Sequence, residues 1–225
     1  MTGHDFPFRA GDRYSWSSGS QSETEIVSAG EVHFPTGMVV AADPAWSINP
    51  LEESDAVAAN VPPGSYPVSL LVSVWRQPPA SGVIPRSKVC ASKVRISNDP
   101  VTQWMPAFPS ESDQSVALGF AVDSGTASFF DFSAKDWLTA RQDNDDWWDE
   151  ISDVLLRDLY VLIEDQATGA NAIIYECGMG DGSYEVWLGL NADGQIAEIF
   201  VDLELLSHST GTVSRDSEVG PRAPG

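Results

Sequence analysis

A mainly β protein of the α+β class is expected, built as a curled antiparallel sheet or β-sandwich with one or two helices near residues 134–160. Short segments rich in Val, Ile, Leu and aromatic residues recur between Pro, Gly, Asn and Asp, a spacing that suits sheets rather than a helical bundle. Turn chemistry between them is explicit, and a single stretch carries clear helical periodicity. The expected organisation is an N-terminal segment over 1–30, one β-rich domain over 31–207 and a flexible tail over 208–225.

Gly37 to Ala42 is the first expected strand. The turn Val61-Pro-Pro-Gly-Ser-Tyr66 cannot continue a helix and leads into Tyr66 to Trp75. There Val68, Leu70, Val72 and Val74 share one face, while Ser69, Leu71, Ser73 and Trp75 share the other, so one face is buried and the second partly so. Lys88 to Ile96 follows and is stopped by Asn98-Asp-Pro100; Ala117 to Val122 comes next. A short helical turn fits Ala134 to Ala140. From Asp145 to Tyr160, Trp148, Ile151, Leu155 and Leu159 recur at three- and four-residue steps, with acids crowding the start where they complement the helix dipole. Ala172 to Cys177, Tyr184 to Leu190 and Gln195 to Leu206 complete the strands. The last two form a hairpin, since Asp193-Gly194 supplies the positive φ of a tight connection.

Composition narrows function before any motif does. Twelve basic against 33 acidic residues in 225 give a net charge of −21, spread along the chain, which repels phosphate backbones and anionic lipid. Neither a nucleic acid nor a membrane is therefore expected as partner. The polar N-terminus, with Asp5, Arg9, Asp12 and Arg13 and no apolar h-region, predicts a cytoplasmic protein. Cys90 and Cys177 stand far apart among apolar neighbours, as buried reduced thiols do.

Four short motifs place carboxylates at the ends of apolar runs beside Gly or Pro: Asp43-Pro44, Asp123-Ser-Gly125 leading to Asp131, Gly180-Asp181-Gly182, and Asp202 after Phe200-Val201. Together with Val61-Pro-Pro-Gly-Ser-Tyr-Pro-Val68 and Asn98-Asp-Pro-Val-Thr-Gln-Trp104, these ordered motifs resemble the bacterial domain-of-unknown-function family 4241 over roughly Gly37 to Leu206. The chain departs from that family's pattern at Ser124, Ala127 and Glu185.

As chemistry, Asp123, Asp131 and Asp181 are candidate acid and base groups, with His33 as a group that titrates near neutral pH. With Asp43 they also suit a hard divalent cation, so the cofactor stays open. Gly180, Gly182, Ser183 and Tyr184 offer close backbone and hydroxyls to a polar substrate, and Trp104 offers a ring for a sugar or purine to stack on. The Gly-rich loop lacks the lysine of a phosphate loop and carries its own acid, so a sugar or nucleoside hydroxyl suits it better than a bare anion. Against this stands the plain alternative that each Asp ends its strand in an Asx turn and bonds nearby amides. The acidic run Asp143 to Asp153 lacks the Gly and Glu of a calcium hand and reads as a solvated helix start.

Two function classes follow. The first is an intracellular enzyme acting on a small sugar- or nucleoside-like metabolite by hydrolysis or elimination of water. The second is a non-catalytic acidic protein, such as an immunity-type partner that covers the basic active site of a toxin.

Overall fold

A computed structural model describes residues 6, 8–45, 57–76, 82–83, 85–108, 119–142 and 144–213. The strands are β1 (Arg13–Ser15), β2 (Gln21–Phe34), β3 (Met38–Ala42), β4 (Val57–Asn60), β5 (Gly64–Trp75), β6 (Lys88–Arg95) and β7 (Gln103–Pro106). They continue with β8 (Gly119–Val122), β9 (Thr126–Asp131), β10 (Tyr160–Glu164), β11 (Asn171–Glu176), β12 (Gly182–Leu190), β13 (Ile196–Asp202) and β14 (Gly211–Val213). Two helices, α1 (Lys135–Gln142) and α2 (Asp145–Asp158), fall between β9 and β10. Trp46, Asp143 and the chain after Val213 lie outside the described residues.

A large sheet runs in the order β14-β1-β2-β5-β6-β13-β12-β7, with β8 on the free half of the β12 edge; a smaller one runs β10-β11-β9-β3-β4. Every strand pairing among the described residues is antiparallel. The large sheet curls strongly into a half-barrel. Bulges help to bend it, since an extra residue on one strand increases local twist. They fall at Ala29 of β2, Cys90 of β6 and Ala197 of β13.

The core lies between the sheets, where Val68, Leu70 and Val72 of β5 meet Phe129, Ile173 and Tyr175 of the small sheet. Removing such side chains from water contributes about 1.5–3 kcal/mol apiece, the main favourable term for a fold of this kind. The helices cover the other face of the small sheet. Leu138 of α1 packs on Val40, Phe130 and Ala172, and Ile151 and Leu155 of α2 pack on Ile174. Asn144 caps α2 by accepting the Trp147 amide at 3.1 Å, and Leu159 ends it in the left-handed region at φ 68°.

The outer face of the large sheet is also apolar. Leu71 and Trp75 of β5, Cys90 and Ala91 of β6, Trp187 and Phe200 cluster there beneath Phe6, Phe8, Leu205 and Leu206. The Cys90 bulge is what turns two consecutive residues of β6 outward. β2 runs unbroken through the boundary expected at residue 30, and β14 pairs with β1 across Arg13 to Val213, so both expected outlying segments supply strands to the large sheet. No helix among the described residues is long and apolar enough to cross a membrane.

Candidate functional site

The strand-end carboxylates separate into two groups. Asp43 and Asp131 are both fully buried, at opposite ends of the β3/β9 pair and roughly 13 Å apart along the strand.

Asp131 is filled by the β2–β3 turn. One oxygen accepts the Thr36 and Gly37 amides at 3.0 and 3.1 Å; the other accepts the Thr36 hydroxyl at 2.7 Å and the Ser133 hydroxyl and amide at 2.6 and 2.9 Å. Its oxygens are therefore committed to holding backbone. His33 sits at this same turn, its amide donating to Asn171 Oδ1 at 2.7 Å and its Nδ1 lying 3.1 Å from the Ser65 hydroxyl.

Asp43 is filled in the same way at the other end. It accepts the amides of Asp123 and Ser124 on one oxygen, and the Ser124 hydroxyl and Ala45 amide on the other, each at 2.8 Å. This fixes the turn that carries Asp123. On the facing strand Gly182 pairs with Val122, so one step further out Asp123 comes opposite Asp181. Both are exposed. Gly125 and Gly180, at φ 68° and 86°, shape the two turns, which are tied by the Cys177 amide donating to the Gly125 carbonyl at 2.8 Å.

Other expected site residues are distributed differently. The Tyr184 side chain is buried, and its hydroxyl donates to the Gly180 carbonyl at 2.7 Å, bracing the acidic loop from within. Burial raises its pKa. Ser183 and Gly182 are exposed beside Asp181, and Gly180 is half-buried. Trp104 stacks edge-on to Phe6 at 5.0 Å and touches Gly189, roughly 20 Å along β12 from Gly182. The structure thus brings Asp43, Asp123, Asp181 and the 180–184 loop together, and leaves Asp131, His33 and Trp104 elsewhere.

Two cations border the acidic corner. Lys88 Nζ donates to the Gly178 carbonyl at 2.7 Å, and Arg86 forms an ion pair with Glu176 at 3.1 Å. Burial raises the Glu176 carboxyl above the usual range, while Arg86 and Lys88 pull it back. No group of three or more His, Cys, Asp or Glu among the described residues is arranged to hold a metal ion. Both cysteines are free and buried; burial pushes Cys90 up to about 12 and raises Cys177 well above an ordinary thiol.

A family model described as a protein of unknown function (DUF4241) matches residues 32–201. The chain belongs to this DUF4241 family. No curated protein and no solved structure matches the chain. The family segment spans β3 to β12 and nearly all of β13, so it contains the acidic corner whole.

A cavity lies outside that corner, on the outer face of the large sheet, with Asp202 in its wall. The sequence marks Asp202 as a strand-end acid but assigns it no role. Strand parity was the available signal: Phe200 and Asp202 share one face of β13 and Ile199 and Val201 the other.

Proposed function

We propose that this protein is a cytoplasmic, non-catalytic acidic binding protein that covers a basic surface on a partner protein. The observation that carries this reading is the solvent face of α2. Asp145, Asp146, Asp149, Glu150, Asp153 and Asp158 are all exposed there, and the one basic residue of the helix, Arg157, pairs with Asp158 at 2.8 Å. Asp145/Asp149, Asp149/Asp153 and Asp146/Glu150 are like-charged neighbours four residues apart, each costing a few tenths of a kcal/mol. A surface that tolerates such repulsion suits a cationic partner, whose approach it would also accelerate.

The test is affinity capture at low salt with wild type and Asp149→Lys/Asp153→Lys side by side. A basic protein held by wild type, released by salt and lost in the variant supports the reading. Equal capture by both forms removes α2 from the interface and overturns it.

A second reading keeps the enzyme on a small polar metabolite, and one observation favours it: Asp123 and Asp181 stand exposed and opposite each other on braced glycine turns. A divalent ion between them would draw its remaining ligands from water and backbone carbonyls. Thermal-shift screening against divalent ions, sugars and nucleosides tests it. A shift lost in both Asp123→Asn and Asp181→Asn favours this enzyme; a shift kept in both places binding elsewhere.

A further inference from the structure

The outer face of the large sheet holds a cavity of about 370 Å³, set between β1, β5, β6 and β13 on one side and residues 206–212 on the other. Leu71, Ala91, Phe200 and Leu206 give it an apolar body, with the Tyr14 ring and the Cys90 thiol beside them. Asp202 enters from the end of β13, and Ser207, Ser209 and Thr212 bring hydroxyls along one wall. Its volume falls within the range of about 300–1,000 Å³ in which proteins hold small molecules.

We propose that this cavity binds a small primary amine with an aromatic or branched apolar body, its ammonium paired with Asp202.

The lining selects that chemistry. Among the described residues it contains one carboxylate and no Lys, Arg or His. The Glu204 amide donates to one Asp202 oxygen at 2.8 Å, and the other oxygen has no hydrogen-bond partner among the described residues. A carboxylate in an apolar wall needs a cation, further donors or a proton. Among the described lining residues, no Lys, Arg or His supplies the cation. Burial, with Glu204 and Glu185 nearby, raises the Asp202 carboxyl above the usual range, while the Glu204 amide pulls it back. An ammonium would give that oxygen a charge-assisted bond and spare two protons for hydroxyl acceptors. Ser207 already donates its own proton to the Glu204 carbonyl at 2.6 Å, so its oxygen is free to accept.

Competing ligand classes fit worse. An anion would meet Asp202, Glu204 and Glu185 with no counter-charge among the described lining residues. A sugar or nucleoside would press hydroxyls against Leu71, Ala91 and Phe200, leaving them unbonded. The backbone here is also unusual, since Glu204 holds φ 56°, a left-handed value that few residues with a side chain adopt.

The experiment is isothermal titration calorimetry of the full chain with 2-phenylethylamine, 2-phenylethanol and phenylacetate in about 150 mM salt, where bulk electrostatic attraction is screened. Wild type should bind the amine saturably at one site, the alcohol at least about tenfold more weakly, and the acid not at all. Asp202→Asn should lose that preference while keeping its affinity for the alcohol. That variant removes one charge from a total of −21, so a tenfold loss cannot come from the general field. Ser209→Trp, which narrows the wall without touching the carboxylate, should weaken amine and alcohol alike. Failure of wild type to bind the amine, equal affinity for amine and alcohol, or full amine affinity in Asp202→Asn would each overturn the proposal.

Discussion

Asp131 and Asp202 are both acidic, both at strand ends, and opposite in what they do for the fold. Five hydrogen bonds converge on the Asp131 carboxylate, so replacing one oxygen by an amide sets donor against donor in a buried site. Asp131→Asn is expected to lower the free energy of unfolding by about 2–4 kcal/mol, measured by urea titration. Asp202 has a single oxygen bonded among the described residues, and its pKa is raised by burial. A carboxyl held above its unfolded value binds its proton more tightly in the folded chain, so ionisation costs stability at neutral pH. Asp202→Asn is therefore expected to melt higher than wild type at pH 7, with each kcal/mol gained appearing as about 2–4 °C. The advantage should shrink through the raised folded pKa and vanish below the unfolded one, where both forms are neutral. Melting curves across that range check it, and a drop in melting temperature at pH 7 would mean the carboxylate is satisfied after all.

Among the elements, those with strong local signals were legible. Segment 145–158 forms the expected helix because apolar residues recur on one face and Asn144 caps it. The β12–β13 hairpin closes at Gly194 with φ 76°, as the Asp-Gly pair requires. β2 was hidden because its N-terminal half buries small polar groups. Ser22 accepts from the Ser73 hydroxyl at 2.6 Å and from Trp16 Nε1 at 2.9 Å, and Thr24 donates to the Arg9 carbonyl at 2.7 Å. Those partners are up to 51 positions away, so no local pattern marks the strand. The acidic corner was legible as Gly-flanked acids, but not the burial of Asp43 or the direction of the Tyr184 hydroxyl, which depend on which strands meet. One element-scale prediction concerns the loop that carries Asp181. A Cβ on Gly178 would run into the Val89 carbonyl and meet Leu205 at 3.2 Å. Gly178→Ala should therefore push the loop off β6, break the Lys88 bond to the Gly178 carbonyl and cost about 1–3 kcal/mol. Hydrogen exchange should show the loss first at residues 177–181, and unchanged protection there would show that the loop is not held by this close approach.

For the whole molecule, the family segment and the folding unit differ in extent. Residues 32–201 omit β1, β14 and all but the end of β2, yet β2 pairs with β5 from Ser22 to Phe34 and shields it from solvent. Without those residues β5 becomes a long edge strand with unpaired backbone, while Leu71, Trp75 and Phe200 lose the cover of Phe6, Phe8, Leu205 and Leu206. An exposed long edge beside an exposed aromatic face is a template for association. A chain cut to residues 32–201 is therefore expected to aggregate or to behave as a loosely packed form that binds hydrophobic dye. Adding back 6–31 and 202–213 should restore a monomer with a cooperative melt, as read by size-exclusion chromatography and calorimetry. If the shorter chain melts cooperatively as a monomer, the outer face is dispensable, and its aromatic cluster must be explained by what it binds rather than by what it stabilises.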